Sequence, residues 1–168
     1  LDSTYIRVHQ HGAPMIANKE KACIAPSRGG KTTKIHVVAG SSDKPFNPIL
    51  LWCTAGNIAD VKSAAQVLPR LGFVTNAIVA DRAYDSDGFR ATLRMDGIEP
   101  VIPGRANRIL PIQFCRTRYR KRQIVERLFA RLKQSRRIAT RYDRLPSTWA
   151  AFLCVALMQM ALSAILIC

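Results

Sequence analysis

A chain of 168 residues with 48% hydrophobic content is long enough for a substantial core and excludes a disordered tail or linker. Its 26 Lys and Arg against 11 Asp and Glu leave a net charge of +15, which favours an anionic partner, nucleic acid or an acidic membrane surface, and says nothing about fold. The five cysteines (Cys23, Cys53, Cys115, Cys154, Cys168) are odd in number and form no CxxC pair, which argues against a zinc ribbon or a disulfide framework and leaves buried reduced thiols.

The opening Leu1-Asp2-Ser3-Thr4 is polar, without a basic region or an apolar run behind it, so it does not read as a signal peptide. A chain that starts without Met and is strand-like at once reads as a fragment, a truncated gene or the downstream part of a longer product. Thr4 to Val8 alternates aliphatic residues with Tyr5 and Arg7 and predicts a strand with one buried face, with Asp2 at its start. From Gly12 to Gly30 the period is lost and Pro14, Pro26, Gly29 and Gly30 predict a loop. Within it, Ser27 to Lys34 is basic and glycine-containing, able to offer backbone N–H groups to a phosphate, but it lacks the Walker A spacing and reads equally as a bare turn. Ile35–Ala39 and Ile49–Thr54 follow as strands around a turn at Gly40–Pro45, so the first three strands form an antiparallel meander.

Asp60 is expected to cap a helix running to about Leu68, with Val61, Ala64, Ala65 and Leu68 inward. Ala77–Ala80 is short and wholly apolar, as a central strand buried on both faces would be, and it ends at Asp81. A helix over Asp85–Met95 with Asp85, Ser86 or Asp87 as cap and Phe89 and Leu93 inward, and a strand over Glu99–Ile102, complete this part. Between Arg105 and Arg144 stand 14 Lys and Arg against two acids, Glu126 and Asp143. This region carries a helix from Tyr119 to Lys133. On it Tyr119, Arg122, Glu126 and Lys133 share a narrow face beside an apolar stripe of Val125, Leu128, Phe129 and Leu132. The final segment, from a Ser147 cap through Thr148 to Cys168, is long and apolar enough to suggest either a membrane anchor or a buried core helix; the core helix is the better fit to a sheet that needs a cover. The sum is one α/β domain over 1–168, a mixed sheet flanked by helices and closed by a helix over 148–168.

Asp2, Asp81 and Glu126 are the candidate chemistry. Ligands gather at strand ends in open sheets. If the first and fourth predicted strands are neighbours, Asp2 and Asp81 converge, and three acids in a basic protein suit hard divalent cations. Each has a plainer reading: Asp81 as a turn or cap residue, Asp2 as an exposed terminal acid, Glu126 as an acid on a solvated helix face. Asp60, Asp85 and Asp87 are further candidate ligands more simply read as caps. His9, His11 and His36 lack convincing ligand spacing, and Trp52 and Trp149 read as core.

Taken together, Leu1-Asp2-Ser3-Thr4, the SRGGKTTKIH run, Gly56-Asn57 with Asp60, the Asp81-Arg-Ala-Tyr-Asp85 box and Tyr119-x2-Arg122-x3-Glu126-x6-Lys133 resemble bacterial insertion-sequence transposases of the DDE type, nearest to the insertion-sequence four and five groups. The four-position pattern is the specific signal, and the resemblance runs from Asp2 to the final helix. Two departures are expected: Ala83 occupies a position where glycine is common, and the chain reads as lacking the DNA-recognition region usual before the first acid. The resemblance implies a ribonuclease-H-like core and a metal site of Asp2, Asp81 and Glu126 holding Mg²⁺ or Mn²⁺, two ions together. It further implies DNA contacts from Tyr119, Arg122 and Lys133, to which the nearby bases Arg118, Lys121, Arg136, Arg137, Lys31 and Lys34 are added. The implied reaction is cleavage at the element's ends and transfer of the 3′-hydroxyl to target DNA. The implied setting is the bacterial cytoplasm at the nucleoid, as a homodimer or larger assembly on DNA and not at a membrane. The alternatives are an inactive basic DNA-binding remnant and a membrane-associated basic protein.

Overall fold

Alternation of side chains makes the first strand: β1 (Asp2–Val8) turns Ile6 and Val8 inward and leaves Tyr5 and Arg7 exposed, the period of two that a half-buried strand requires. The computed structural model describes residues 1–12, 22–40, 48–71 and 75–166. The expected turn at Gly40–Pro45 beyond Gly40 and most of the expected loop before Ala22 lie outside them. Two compact units divide the chain. One gathers Leu1–Asp2 with Ile58–Gln123, the other Ser3–Asn57 with Ile124–Cys168.

The second unit holds a five-stranded sheet. β2 (Ala25–Ser27) and β4 (Pro48–Ala55) both pair antiparallel with β3 (Gly30–Ala39). β1 lies beside β3, and β7 (Thr140–Arg141) pairs parallel with β1, matching Arg7 to Thr140 and Val8 to Arg141. The expected strands therefore lie side by side in chain order, but two short strands are added. β2 escapes the alternation test because it is three residues long and contains Pro26, tolerated at a sheet edge. The Ser27–Lys34 run is thus a hairpin: Ala25 to Ser27 pair with Thr32 to Gly30, and Gly30 has a φ of 93°, which suits glycine. β7 is two residues long and carries no period at all.

Against this sheet packs one apolar cluster. Ile6, Ile35 and Val37 meet the predicted stripe Val125, Leu128, Phe129 and Leu132, together with Ile138, Trp149, Leu153 and Met160. The stripe belongs to α4 (Gln123–Leu132), Ile138 to α5 (Arg136–Ala139), and the last three residues to α6 (Pro146–Leu166). α6 starts at Pro146, not at a Ser147 cap, because proline's fixed φ and missing N–H suit a first helical position. One side of α6 is core; Val155, Met158 and Leu162 remain exposed. Among the described residues no helix is long and apolar enough to cross a membrane.

The expected single helix over Tyr119–Lys133 is interrupted. α3 (Arg116–Arg120) buries no residue. It gives way to α4 through a tight junction in which Lys121 N–H donates to Arg118 and Arg122 N–H to Tyr119, each spanning three residues. Arg118, Arg120, Lys121 and Arg122 crowd like charges at helical spacing, and α3 itself buries no residue to hold it in line with α4. The four-position face is therefore not one straight helical stripe.

In the first unit β5 (Ala77–Val79) and β6 (Glu99–Val101) form a parallel pair. β5 is not buried on both faces: Ile78 is buried while Ala77 and Val79 are partly open. Leu1 belongs to this unit, and its nitrogen donates to the Val79 carbonyl at 2.8 Å. α1 (Asp60–Val67) and α2 (Asp87–Met95) complete the unit. Asp60 is the first residue of α1 rather than its cap, which is Ala59; Ala64 is buried but Ala65 is exposed. Ser86 occupies the α2 cap position without a side-chain cap bond, while Phe89 and Leu93 point inward as expected.

Candidate active site

Within the first unit, Asp81 follows directly on β5 and Ala80, and opens a single 3₁₀ turn over Arg82–Tyr84. Its Oδ1 accepts from Ala83 N–H at 2.8 Å, so the cap reading is realised. This bond fixes the carboxylate's direction without using its second oxygen. Burial pushes the Asp81 pKa up; the Ala83 N–H works against that, the Asp2 charge adds to it, Arg122 opposes it and Asp60 adds again. Asp2 itself is buried, 6% exposed, and Oδ2 accepts from Arg122 Nη2 at 3.1 Å. The first two acids are thus an electrostatically coupled pair, with Arg122 set against them as the compensating cation.

Asp85, the last residue of the box, does something the sequence did not reveal. It is buried and does not cap α2; its two oxygens accept from Arg90 Nε at 2.9 Å, Arg105 N–H at 2.8 Å, and Arg108 Nε at 2.6 Å and Nη2 at 3.0 Å. Arg90 is 2% exposed and also donates to the Ile102 carbonyl at 2.7 Å. Burial alone would raise the Asp85 pKa, but the bonds from Arg108, Arg105 and Arg90 prevail and bring it to about 2. Arg105 reaches back to the carbonyls of Arg82 and Ala83, both at 3.3 Å. Arg90, Arg105 and Arg108 therefore brace the turn that carries Asp81. The available signal was a box ending in Asp followed by three arginines beyond it, which spacing alone could not connect.

In the second unit, Glu126 is exposed in the first turn of α4, whose opposite side is locked into the core. Lys133, just past α4, donates to Thr4 Oγ1 on β1 at 2.6 Å, and burial lowers its pKa. Among the described residues, no group of three His, Cys, Asp or Glu side chains is gathered to hold a metal ion. The remaining bases differ in what they do. Lys31, Lys121 and Arg136 are exposed. Arg118 pairs with Glu99, and Arg137 pairs with Asp143 at 3.2 Å while lying 4.2 Å over the Phe152 ring. Tyr119 stands edge-on to Phe114 at 5.3 Å. Lys34 is 2% exposed, with its ammonium 4.7 Å over the Tyr5 ring. His36 is core, bonded to Thr54 at 2.8 Å and stacked on Trp52.

Residues 1–160 match the family described as Transposase DDE domain. The chain belongs to that family. It is 32% identical over 139 residues to "Putative transposase for insertion sequence element IS402" from Burkholderia cepacia, covering 72% of this chain and 58% of that protein. A second relative, "Putative transposase for insertion sequence element IS6501" from Brucella ovis, is 32% identical over 129 residues, covering 74% of this chain and 94% of the relative. This transposase domain thus spans under two thirds of the first relative's length and nearly all of the second's. No solved structure matches significantly.

Proposed function

We propose that this transposase domain cuts DNA at the ends of an insertion element and joins the freed 3′-hydroxyl to target DNA, with Asp2, Asp81 and Glu126 as its metal-holding acids. The observation that carries this reading is the coupled pair: Asp2 and Asp81 on adjoining strand ends, one buried, the other with a raised pKa, and Arg122 balancing them. Such a donor set fits Mg²⁺ or Mn²⁺. All donors are hard carboxylate oxygens, and a divalent cation would compensate both the burial that chiefly raises the Asp81 pKa and the neighbouring Asp2 charge that adds to it. Two such ions would supply activation of the attacking oxygen and stabilisation of the leaving one.

The chain's own residues do the rest. The Ala83 N–H fixes the direction of Asp81, and the Asp85 cluster braces the turn beneath it. Arg122, partly exposed, has the guanidinium fork that grips a phosphate in two places. Tyr119, Lys133, Arg118, Lys121, Arg136, Arg137 and Lys31 are assigned to the DNA backbone. Lys34, buried under Tyr5, acts by supporting β3. The fold we infer is ribonuclease-H-like, supported by the β4-β3-β1 run in one unit and, separately, by the parallel β5-β6 pair in the other. The exposed Val155, Met158 and Leu162 on α6 suit contact with a second copy, consistent with a dimer on DNA at the bacterial nucleoid.

The test is nicking of supercoiled DNA with Mg²⁺ or Mn²⁺. We expect Glu126→Ala to abolish nicking while leaving salt-sensitive DNA binding in place. Nicking that survives in Glu126→Ala would sink the assignment. Metal-independent binding with no nicking by the unaltered protein would make it a DNA-binding remnant.

A further inference from the structure

The segment after β6 forms a small closed loop. At its neck Gly104 approaches Ile112 so closely that an added Cβ would lie 3.2 Å from Cγ1 of Ile112 and 3.4 Å from Cδ of Arg108. Its first half is tied down by Asp85, which takes the Arg105 N–H and the Arg108 guanidinium, and Arg108 also reaches Asp87 at 2.6 Å. Arg108 N–H closes a turn onto the Arg105 carbonyl at 3.2 Å. From this braced stalk Ile109 and Leu110 project with 97% and 77% of their surface exposed, followed by exposed Pro111. Two adjacent large aliphatic residues left in water on a tied-down loop are unfavourable unless something covers them.

We propose that the Ile109–Leu110 tip is a wedge that enters DNA and unstacks a base step close to the strand being cut. The inference rests on the DNA-cleaving reading given above and adds to it a positioning element. Three observations select DNA over other covers. The loop is anchored to the Arg82 and Ala83 carbonyls beside Asp81 through Arg105, so the tip has a fixed relation to a candidate catalytic acid. Exposed Arg116 and Arg120 follow it along the chain and supply cations that a phosphate backbone would pair with. Short aliphatic side chains with a neighbouring proline are the kind that enter between base pairs, where they need stiffness more than hydrogen bonds. The Asp85 cluster supplies that stiffness.

The experiment uses the full chain and a short duplex carrying 2-aminopurine at a central TA step, a step that unstacks easily. Binding in metal-free buffer at low salt should raise the fluorescence. Ile109→Ser with Leu110→Ser should lose the rise, keep its melting temperature, and keep affinity within about threefold, because phosphate contacts carry the binding. Exchanging the pair, Ile109→Leu with Leu110→Ile, should restore the rise. Binding by the unaltered chain without a rise, or an equal rise in the serine variant, overturns the wedge alone. Absence of any binding at low salt overturns the DNA reading together with it. Self-association without DNA that disappears in the serine variant assigns the tip to a second copy and likewise overturns the proposal.

Discussion

Asp81 shows how one residue is held in tension between stability and chemistry. Its raised pKa means that the folded chain disfavours the ionised carboxylate, chiefly through burial and then through Asp2. For an acid with a raised folded pKa, the penalty is present above that pKa and vanishes once both folded and unfolded forms are protonated. Asp81→Asn keeps an oxygen for the Ala83 N–H and removes the charge. Thermal melts should therefore show the variant more stable than the parent at neutral pH, with the difference closing towards about pH 4, the ordinary carboxylate range. The same variant should lose metal-dependent nicking. Equal melting temperatures at neutral pH would show that the Asp81 carboxylate is not disfavoured in the fold. Asp81 was legible in the sequence because an apolar strand stops at it. Asp85, four positions on, was not, since its partners lie 5, 20 and 23 residues away and only the folded chain brings them to one carboxylate.

That same cluster governs the elements around it, joining α2, the end of β6 and the loop beyond through one acid. Asp85→Ala leaves Arg90 buried without its counter-charge, and removing one partner of a buried pair costs about 3–5 kcal/mol. Urea unfolding would read the loss directly. With its pKa held at about 2, Asp85 contributes stability in full above the ordinary carboxylate value, and that contribution is lost as pH falls from about 4 towards about 2. In α4 the apolar stripe was read correctly because four residues at helical spacing all found the core. Leu128, 1% exposed, should cost about 2–5 kcal/mol when cut to alanine. The elements that escaped the sequence are those without a period: β2 with three residues, β7 with two, and the α3–α4 junction, where no buried residue of α3 continues the apolar stripe of α4. β5 was misjudged for a related reason, since an apolar run of four cannot show which of its faces is covered.

At the scale of the whole molecule the dominant quantity is the +15 charge, but bases contribute to DNA affinity only where they can reach phosphate. Lys121 and Lys34 separate these roles. Both were expected at DNA; Lys121 is exposed, whereas Lys34 is 2% exposed beneath Tyr5. Binding of the parent chain to duplex DNA should weaken by about 10³–10⁵ between about 50 and 200 mM salt if some six to ten phosphates are contacted. Lys121→Ala should flatten the plot of log affinity against log salt by about one unit, with the same loss on every sequence tested. Lys34→Ala should leave the slope where it was and instead lower the melting temperature, because it removes an ammonium packed on an aromatic ring and opens the space around it. An unchanged slope in Lys121→Ala together with a flattened one in Lys34→Ala would reverse the roles assigned to the two lysines. The net charge of the chain cannot make this distinction; the burial of each base can.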